Sequence, residues 1–325
     1  MRNARLALIL AAAVSAAIGE PAPAQEFPTR PVTIVVPYTP GGAGDILARM
    51  IAPRLEQKWG KSIIVENRTG AAGIIGAVSV QKAAPDGHTL MIAPSVIMAV
   101  NVSVHKSLPY DPTTDFVPLA LAAQTPFVLI VNPSLPVHSV AELIAYATAR
   151  PGQLSYASSG PGVPHHLFAE LLSTMTGLKM THVPYKGSLP ALNDVVAGHV
   201  PLMFIDLGPA LGMLRAGKVR PLGVSTATRL PQLPDVPPVG DTVPGFAAAS
   251  WQMAVAPGKT PRPVVDKLHA GLADVFAMAE IKEQITRNGM VPLDNPSVDG
   301  LQAFVKSEIA RWSKVVEQAG IAGSQ

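Results

Sequence analysis

The chain has 325 residues, no cysteine, 14% charged residues and a formal net charge of +3. That length holds one large domain or two of medium size, and 48% apolar residues suffice for a sizeable core or two. The small positive excess forms no basic run and no basic stripe interleaved with aromatics, which argues against a nucleic-acid binder; without cysteine there is neither a disulfide nor a lipid-modified cysteine.

Arg2 and Arg5 precede an apolar stretch, Leu6 to Ile18, and Ala22-Pro23-Ala24 places small residues before Gln25. This predicts a secretory signal over 1–24, cleaved near Ala24. The apolar stretch falls short of the ~20 residues that span a bilayer. An uncleaved N-terminal anchor is the alternative. The mature chain is expected to be soluble and exported, in a bacterium to the periplasm.

From residue 32 the pattern strand, turn, helix repeats. Val32–Val36 is a β-branched run and predicts a buried strand. The turn Pro37–Gly44 follows, then a helix from about Asp45, with Ile46, Leu47, Met50, Ile51 and Leu55 at helical spacing and a stop at Gly60. A strand is expected at 62–66, a Gly-rich turn and a helix near 73–83, and a strand at 89–93. Residues 119–132 read as extended and as a crossing into a second lobe. There the scheme resumes: helix 140–149, strand 154–158, loop 159–164, helix 165–176, helix near 190–197, strand 200–205, short helix near 209–216 and strand 221–225. The proline-rich stretch 230–244 predicts an irregular return path. A strand at 249–256 leads back, and helices near 263–277 and 297–319 close the chain. Leu301, Phe304, Val305, Ile309, Trp312 and Val316 give the last helix one apolar face.

Alternating strands and helices predict an α/β protein with mostly parallel sheets. A chain that leaves one sheet, builds another and returns makes two lobes: 25–125 plus 235–325, and 126–234. The cleft between them is the natural ligand site.

Two turns carry the chemistry. In Tyr38–Asp45 a strand ends and a glycine-bearing turn runs into a helix. Gly41, Gly42 and Gly44 let backbone amides approach a ligand, and the helix start favours an anion. The plainer reading is a tight turn whose Asp45 caps its own helix. The dinucleotide fingerprint fails because Leu47 stands where its third glycine belongs, and no phosphate-loop motif occurs. The second turn, Tyr156–His166, repeats the design with hydroxyls at Ser158 and Ser159 beside Gly160. Facing each other, the two turns would hold a carboxylate from both sides, or a dicarboxylate end to end. One charge-assisted hydrogen bond contributes about 1.5–3 kcal/mol and micromolar affinity needs about 8 kcal/mol. A handful of amides and hydroxyls therefore suffices without an arginine.

Ser158 or Ser159 with His165 or His166 also permits a nucleophile–base reading, although no G-x-S-x-G elbow is present. Adjacent helical histidines do not share a face, so a metal pair is disfavoured. One histidine is expected in or near the cleft and the other on the surface. Asp206, at the end of an apolar strand, could accept a bond from a ligand hydroxyl or amine, or cap the next helix. Ser95, after strand 89–93, has a similar double reading.

Several stretches together resemble the tripartite tricarboxylate transporter substrate-binding family, the Bug receptors. They are VPYTPGGAGDILARMIAPRL (36–55), VENRTGAAGIIGA (65–77), PDGHTL (85–90), LPYDPTTDFVPL (108–119), LSYASSGPGVPHHLFAELL (154–172), HVPYKGSLPALNDVVAGHV (182–200) and ARWSKVVEQAGI (310–321). The resemblance implies a periplasmic receptor of type II-like Venus-flytrap fold that binds a small organic acid and feeds a tripartite membrane permease. A monomer is expected, with no cofactor, no metal and no catalytic residue. By similarity the ligand role falls on Tyr38, Gly41, Ala43, Asp45, Ser158, Ser159, Gly160 and His166, with Gly42, Ser95 and Asp206 as further candidates from the residues themselves. Departures are Thr69 where the family often has proline, His88 where it often has tyrosine, and Asp206, one place later than the family's aspartate. Ala43 and Val163 stand at variable positions. A receptor reporting to a membrane sensor kinase and a secreted serine hydrolase are the alternatives.

Overall fold

A computed structural model describes residues 27–318 and 320–324. The expected signal segment and its cleavage site lie outside the described residues. Among the described residues eleven strands form two sheets. The first contains β1 (Val32–Val36), β2 (Ile63–Asn67), β3 (Thr89–Pro94), β4 (Phe116–Thr125), β10 (Ser250–Pro257) and β11 (Val291–Pro292), in the order β11-β4-β10-β3-β1-β2. The second contains β5 (Phe127–Val131), β6 (Leu154–Ser158), β7 (Met180–Pro184), β8 (Leu202–Asp206) and β9 (Arg220–Val224), in the order β7-β6-β8-β5-β9. The result is a two-lobed α/β protein.

The predicted periodicities explain the layers. In β1 the side chains alternate: Val32, Ile34 and Val36 join one core, Val35 the other. Leu47, Ile51 and Leu55 of α1 (Ala43–Trp59) are fully buried against the first of these. The helix stops where Gly60 turns left-handed, at φ 64°, and its N–H bonds Glu56 O. Eight helical segments continue the pattern: α2 (Ile74–Gln81), α3 (Asn101–Val104), α4 (Val140–Thr148), α5 (Pro164–Thr176), α6 (Ser188–Ala197), α7 (Leu207–Arg215), α8 (Arg262–Ala277) and α9 (Ala279–Arg287). The last, α10 (Val298–Gln318), buries Leu301, Val305, Trp312 and Val316, while Phe304 and Ile309 are partly buried.

The sheets are mixed rather than mostly parallel. Of nine strand pairs, four are parallel and five antiparallel. The parallel pairs are those built by strand–helix–strand units, as the sequence pattern predicts. The antiparallel ones involve the strands that cross between lobes or return from them, which enter the host sheet reversed.

Both crossings lie side by side. β4 ends at Thr125, Pro126 breaks the ladder, and Phe127 starts β5. Thr125 pairs with Ser250, the first residue of β10. Phe127 donates its N–H to Ser225 Oγ (3.1 Å) and accepts from Ser225 N–H (2.8 Å), while Ala248 N–H bonds Ser225 O (2.8 Å). Residues 235–248, which the sequence places in lobe one, pack on the second sheet: Val224 bridges Pro238 and Phe246 stacks on Phe204 at 5.8 Å. The chain rejoins the first sheet at β10.

Helix α10 binds the two halves. Trp312 stacks on Phe168 of α5, 5.9 Å away and 8° from parallel. Glu308 is buried and accepts from the indoles of Trp251 (2.6 Å) and Trp312 (3.1 Å).

Candidate functional site

A cavity of about 560 Å³ opens between the two sheets. The turn after β1 forms one wall through Tyr38, Gly42, Ala43 and Asp45. The turn after β6 forms the opposite wall through Ser159, Gly160, Val163 and His165. The two turns singled out in the sequence therefore face one hollow. The floor comes from the crossing strands: Thr125, Phe127, Ser250 and Gln252.

Asp45 organises the first wall. It is 5% exposed, and its carboxylate accepts from Gly41 N–H (2.9 Å), Arg49 Nε (3.0 Å) and Asn67 Nδ2 (3.0 Å). Asn67 also donates to Tyr38 O, and Tyr38 OH donates to Ala72 O. Burial alone would raise the Asp45 pKa; the bonds from Arg49, Gly41 and Asn67 override it and hold the carboxyl below its ordinary value. Asp45 is thus the third helical residue, reaching back into the turn rather than sitting at the cap position, which Gly42 occupies. Gly41 does not line the cavity; it offers its amide to Asp45.

On the second wall the structure redistributes the predicted roles. Ser158 is fully buried: its Oγ accepts from Gly160 N–H (3.0 Å) and lies 2.6 Å from His182 Nε2. His166 also stays behind the loop. Its Nδ1 accepts from Gly162 N–H (3.1 Å), and its ring stacks on His182 at 4.1 Å. Neither residue lines the cavity. His165 does, with Nδ1 2.9 Å from Ser159 Oγ and Nε2 3.4 Å from Asp206 Oδ1. The expected surface histidine is not found: His165 and His166 are 6% and 9% exposed. Asp206 lines the cavity at the cap position of α7 without a capping bond. Ser95 lies outside the lining and pairs with Ser250 (Oγ–Oγ 2.9 Å), which lies inside it.

Three features escaped the sequence. Thr69, Gly70, Ala72 and Gly73 add a segment of wall, with four successive left-handed residues: φ is 129° at Gly70, 46° at Ala71, 50° at Ala72 and 89° at Gly73. The alanines are strained there by roughly 1–2 kcal/mol each. Lys186, Gly187 and Ser188 form a third loop at the start of α6, and among the described residues Lys186 is the one lysine or arginine in the lining. The crossing strands supply the floor.

The stacked histidines make stability pH-dependent. Burial pushes the His166 pKa down to about 4; burial, and then the neighbouring His166, does the same for His182. Both are neutral when folded at pH 7. Between about 6.5 and 4 the unfolded chain binds more protons, so stability falls as pH drops through that window. For His166 the loss is about 3 kcal/mol; the more exposed His182 contributes less. Urea midpoints at pH 7 and 4.5 should differ by more in the wild type than in His166→Phe. Equal differences would refute this account.

A two-lobed α/β fold with a hollow where its crossing strands meet, mostly apolar and set with a few polar groups, has the form of a solute-binding protein. A family model described as the tripartite tricarboxylate transporter family receptor matches residues 47–321. BugT of Bordetella pertussis is 33% identical over 317 residues, covering 97% of each chain. An R. palustris protein solved with adipate is 43% identical at TM-score 0.86, over 91% of this chain and 99% of that one. MatC from Rhodopseudomonas palustris, solved with bound malate, is 33% identical at TM-score 0.81, over 89% of this chain and 100% of that one. The chain belongs to the tripartite tricarboxylate transporter receptors, the Bug family of periplasmic solute-binding proteins. No described helix is long and apolar enough to cross a membrane.

Proposed function

We propose that this receptor binds a small organic acid, most simply a dicarboxylate, between its lobes and delivers it to a tripartite membrane permease. One observation carries the reading. Helices α1, α5 and α6 all begin on the cavity wall, and none has a side-chain cap. Their first-turn amides and the positive ends of their dipoles converge on one hollow, which favours negative charge. Lys186 adds a full positive charge at the rim. The adipate and malate of the two R. palustris structures fit the same chemistry.

A screen of mono-, di- and tricarboxylates by thermal shift tests it. A ligand at a hundredfold excess over its Kd should stabilise the fold by about 2.7 kcal/mol. Silence across the whole set would end the proposal.

The sequence Ser159–His165–Asp206, at 2.9 and 3.4 Å, favours ester hydrolysis as a second reading. It requires turnover of an activated ester that disappears in Ser159→Ala. A receptor has no turnover to lose.

A further inference from the structure

The two carboxylates on the cavity wall differ in what remains free on them. Asp45 is saturated by an amide, a guanidinium and a carboxamide. Asp206 is not. Its side chain is 19% exposed, and the nearest ionisable group, His165 Nε2, stands 3.4 Å away, beyond a good hydrogen bond. That nitrogen is buried and has no hydrogen-bond partner among the described residues.

Ser159 fixes the protons. A buried neutral imidazole carries one N–H. Burial pushes the His165 pKa down, and the nearby Asp206 charge only partly opposes this. With the N–H on Nε2, toward Asp206, Nδ1 accepts from Ser159 Oγ–H at 2.9 Å. The opposite tautomer would aim a lone pair at a carboxylate. The Ser159–His165 pair therefore presents one weak donor to Asp206 from behind. The remaining lone pairs of Asp206 face the cavity, with no donor among the described residues.

We infer that Asp206, backed by Ser159 and His165, is an acceptor subsite that selects acids bearing a hydroxyl or ammonium over unsubstituted diacids of equal length. A ligand donor would satisfy Asp206. A plain methylene would leave a half-buried carboxylate unpaired beside an anionic ligand, which disfavours binding. The inference rests on the carboxylate-receptor reading and adds the class of acid. His165 and Ser159 are positioning residues; Asp206 is the group that meets the ligand.

Three four-carbon acids isolate the effect: succinate has no donor, L-malate a hydroxyl and L-aspartate an ammonium. Titration calorimetry on the wild type should find malate or aspartate about tenfold to a hundredfold tighter than succinate. Asp206→Ala should shrink that preference to less than about threefold. Ser159→Ala, a milder change that leaves Asp206 in place, should reduce it partway, and it serves if Asp206→Ala does not fold. Equal affinities in the wild type, or a preference that survives Asp206→Ala, would overturn the subsite and leave the carboxylate receptor standing. If none of these three acids binds, the subsite falls, and the wider carboxylate screen decides the receptor reading separately.

Discussion

Asp45→Ala should weaken binding of the organic acid found in the screen about a hundredfold, the loss of one or two charge-assisted contacts. The carboxylate holds Gly41 N–H, Asn67 and Arg49 in one arrangement, and Asn67 in turn fixes Tyr38 O. Without it the turn before α1 loses the order that keeps its amides aimed at the cavity, and ordering must then be supplied at the moment of binding. The fold should lose about 2–3 kcal/mol. The Arg49 contact adds little of this, because Arg49 is 53% exposed. Asp45→Asn keeps the shape and one acceptor, and should fall between. The lowered pKa gives the sign with pH: this contribution is present above the unfolded carboxyl's pKa and vanishes as pH falls through the lower folded value. Calorimetry and thermal melts decide; unchanged affinity in Asp45→Ala would show that the turn holds its shape by other means.

Glu308→Ala should cost about 2–5 kcal/mol, the penalty of leaving two buried indole N–H donors without their acceptor, with little from the half-exposed Arg311. Glu308 is 7% exposed and accepts from two indole N–H groups and from Arg311 Nη1 at 3.2 Å. Alanine leaves both indoles without an acceptor and opens space beside Trp312, the residue that stacks on Phe168 of the other half. Glu308→Gln keeps one acceptor oxygen and should lose about half as much. Two of the three tryptophans sit on this carboxylate, so their fluorescence reports both native packing and unfolding in urea. A midpoint within error of the wild type would mean that Glu308 is replaceable by water.

The elements that could be read from the sequence were those whose burial is written in apolar spacing. Strand 154–158 and the stripe of α1 are examples: residues facing a core must be apolar at period 2 or 3.6. β7 was missed because it is an edge strand with no fully buried residue, and Met180–Pro184 has no apolar run to betray it. The segments α3, α9 and β11 were missed too, two of them being only four and two residues long. Mixed sheet order was hidden because strand direction leaves no local mark. Both cleft turns were legible because glycine at a strand end is a statement about backbone. The choice between His165 and His166 was not, since neighbours on a helix point about 100° apart and one-dimensional spacing does not say which faces the cavity. Ser158 and Ser159 were expected alike, and spacing could not separate them: Ser158 ends β6 and is buried, while Ser159, in the loop, lines the cavity. Lys186 and the 69–73 wall depend on contacts between distant segments, which no local pattern encodes.

The adjacency of the two crossings has one more consequence. The chain departs at Pro126 and comes back at Ser250, and those points are neighbours on paired strands. The intervening stretch can be cut and spliced as a cassette without stretching either junction. A chimera taking residues 126–249 from a relative with a different diet would keep one half of the grip and exchange the other. The acid such a hybrid still recognised would tell which half reads which end of the cargo.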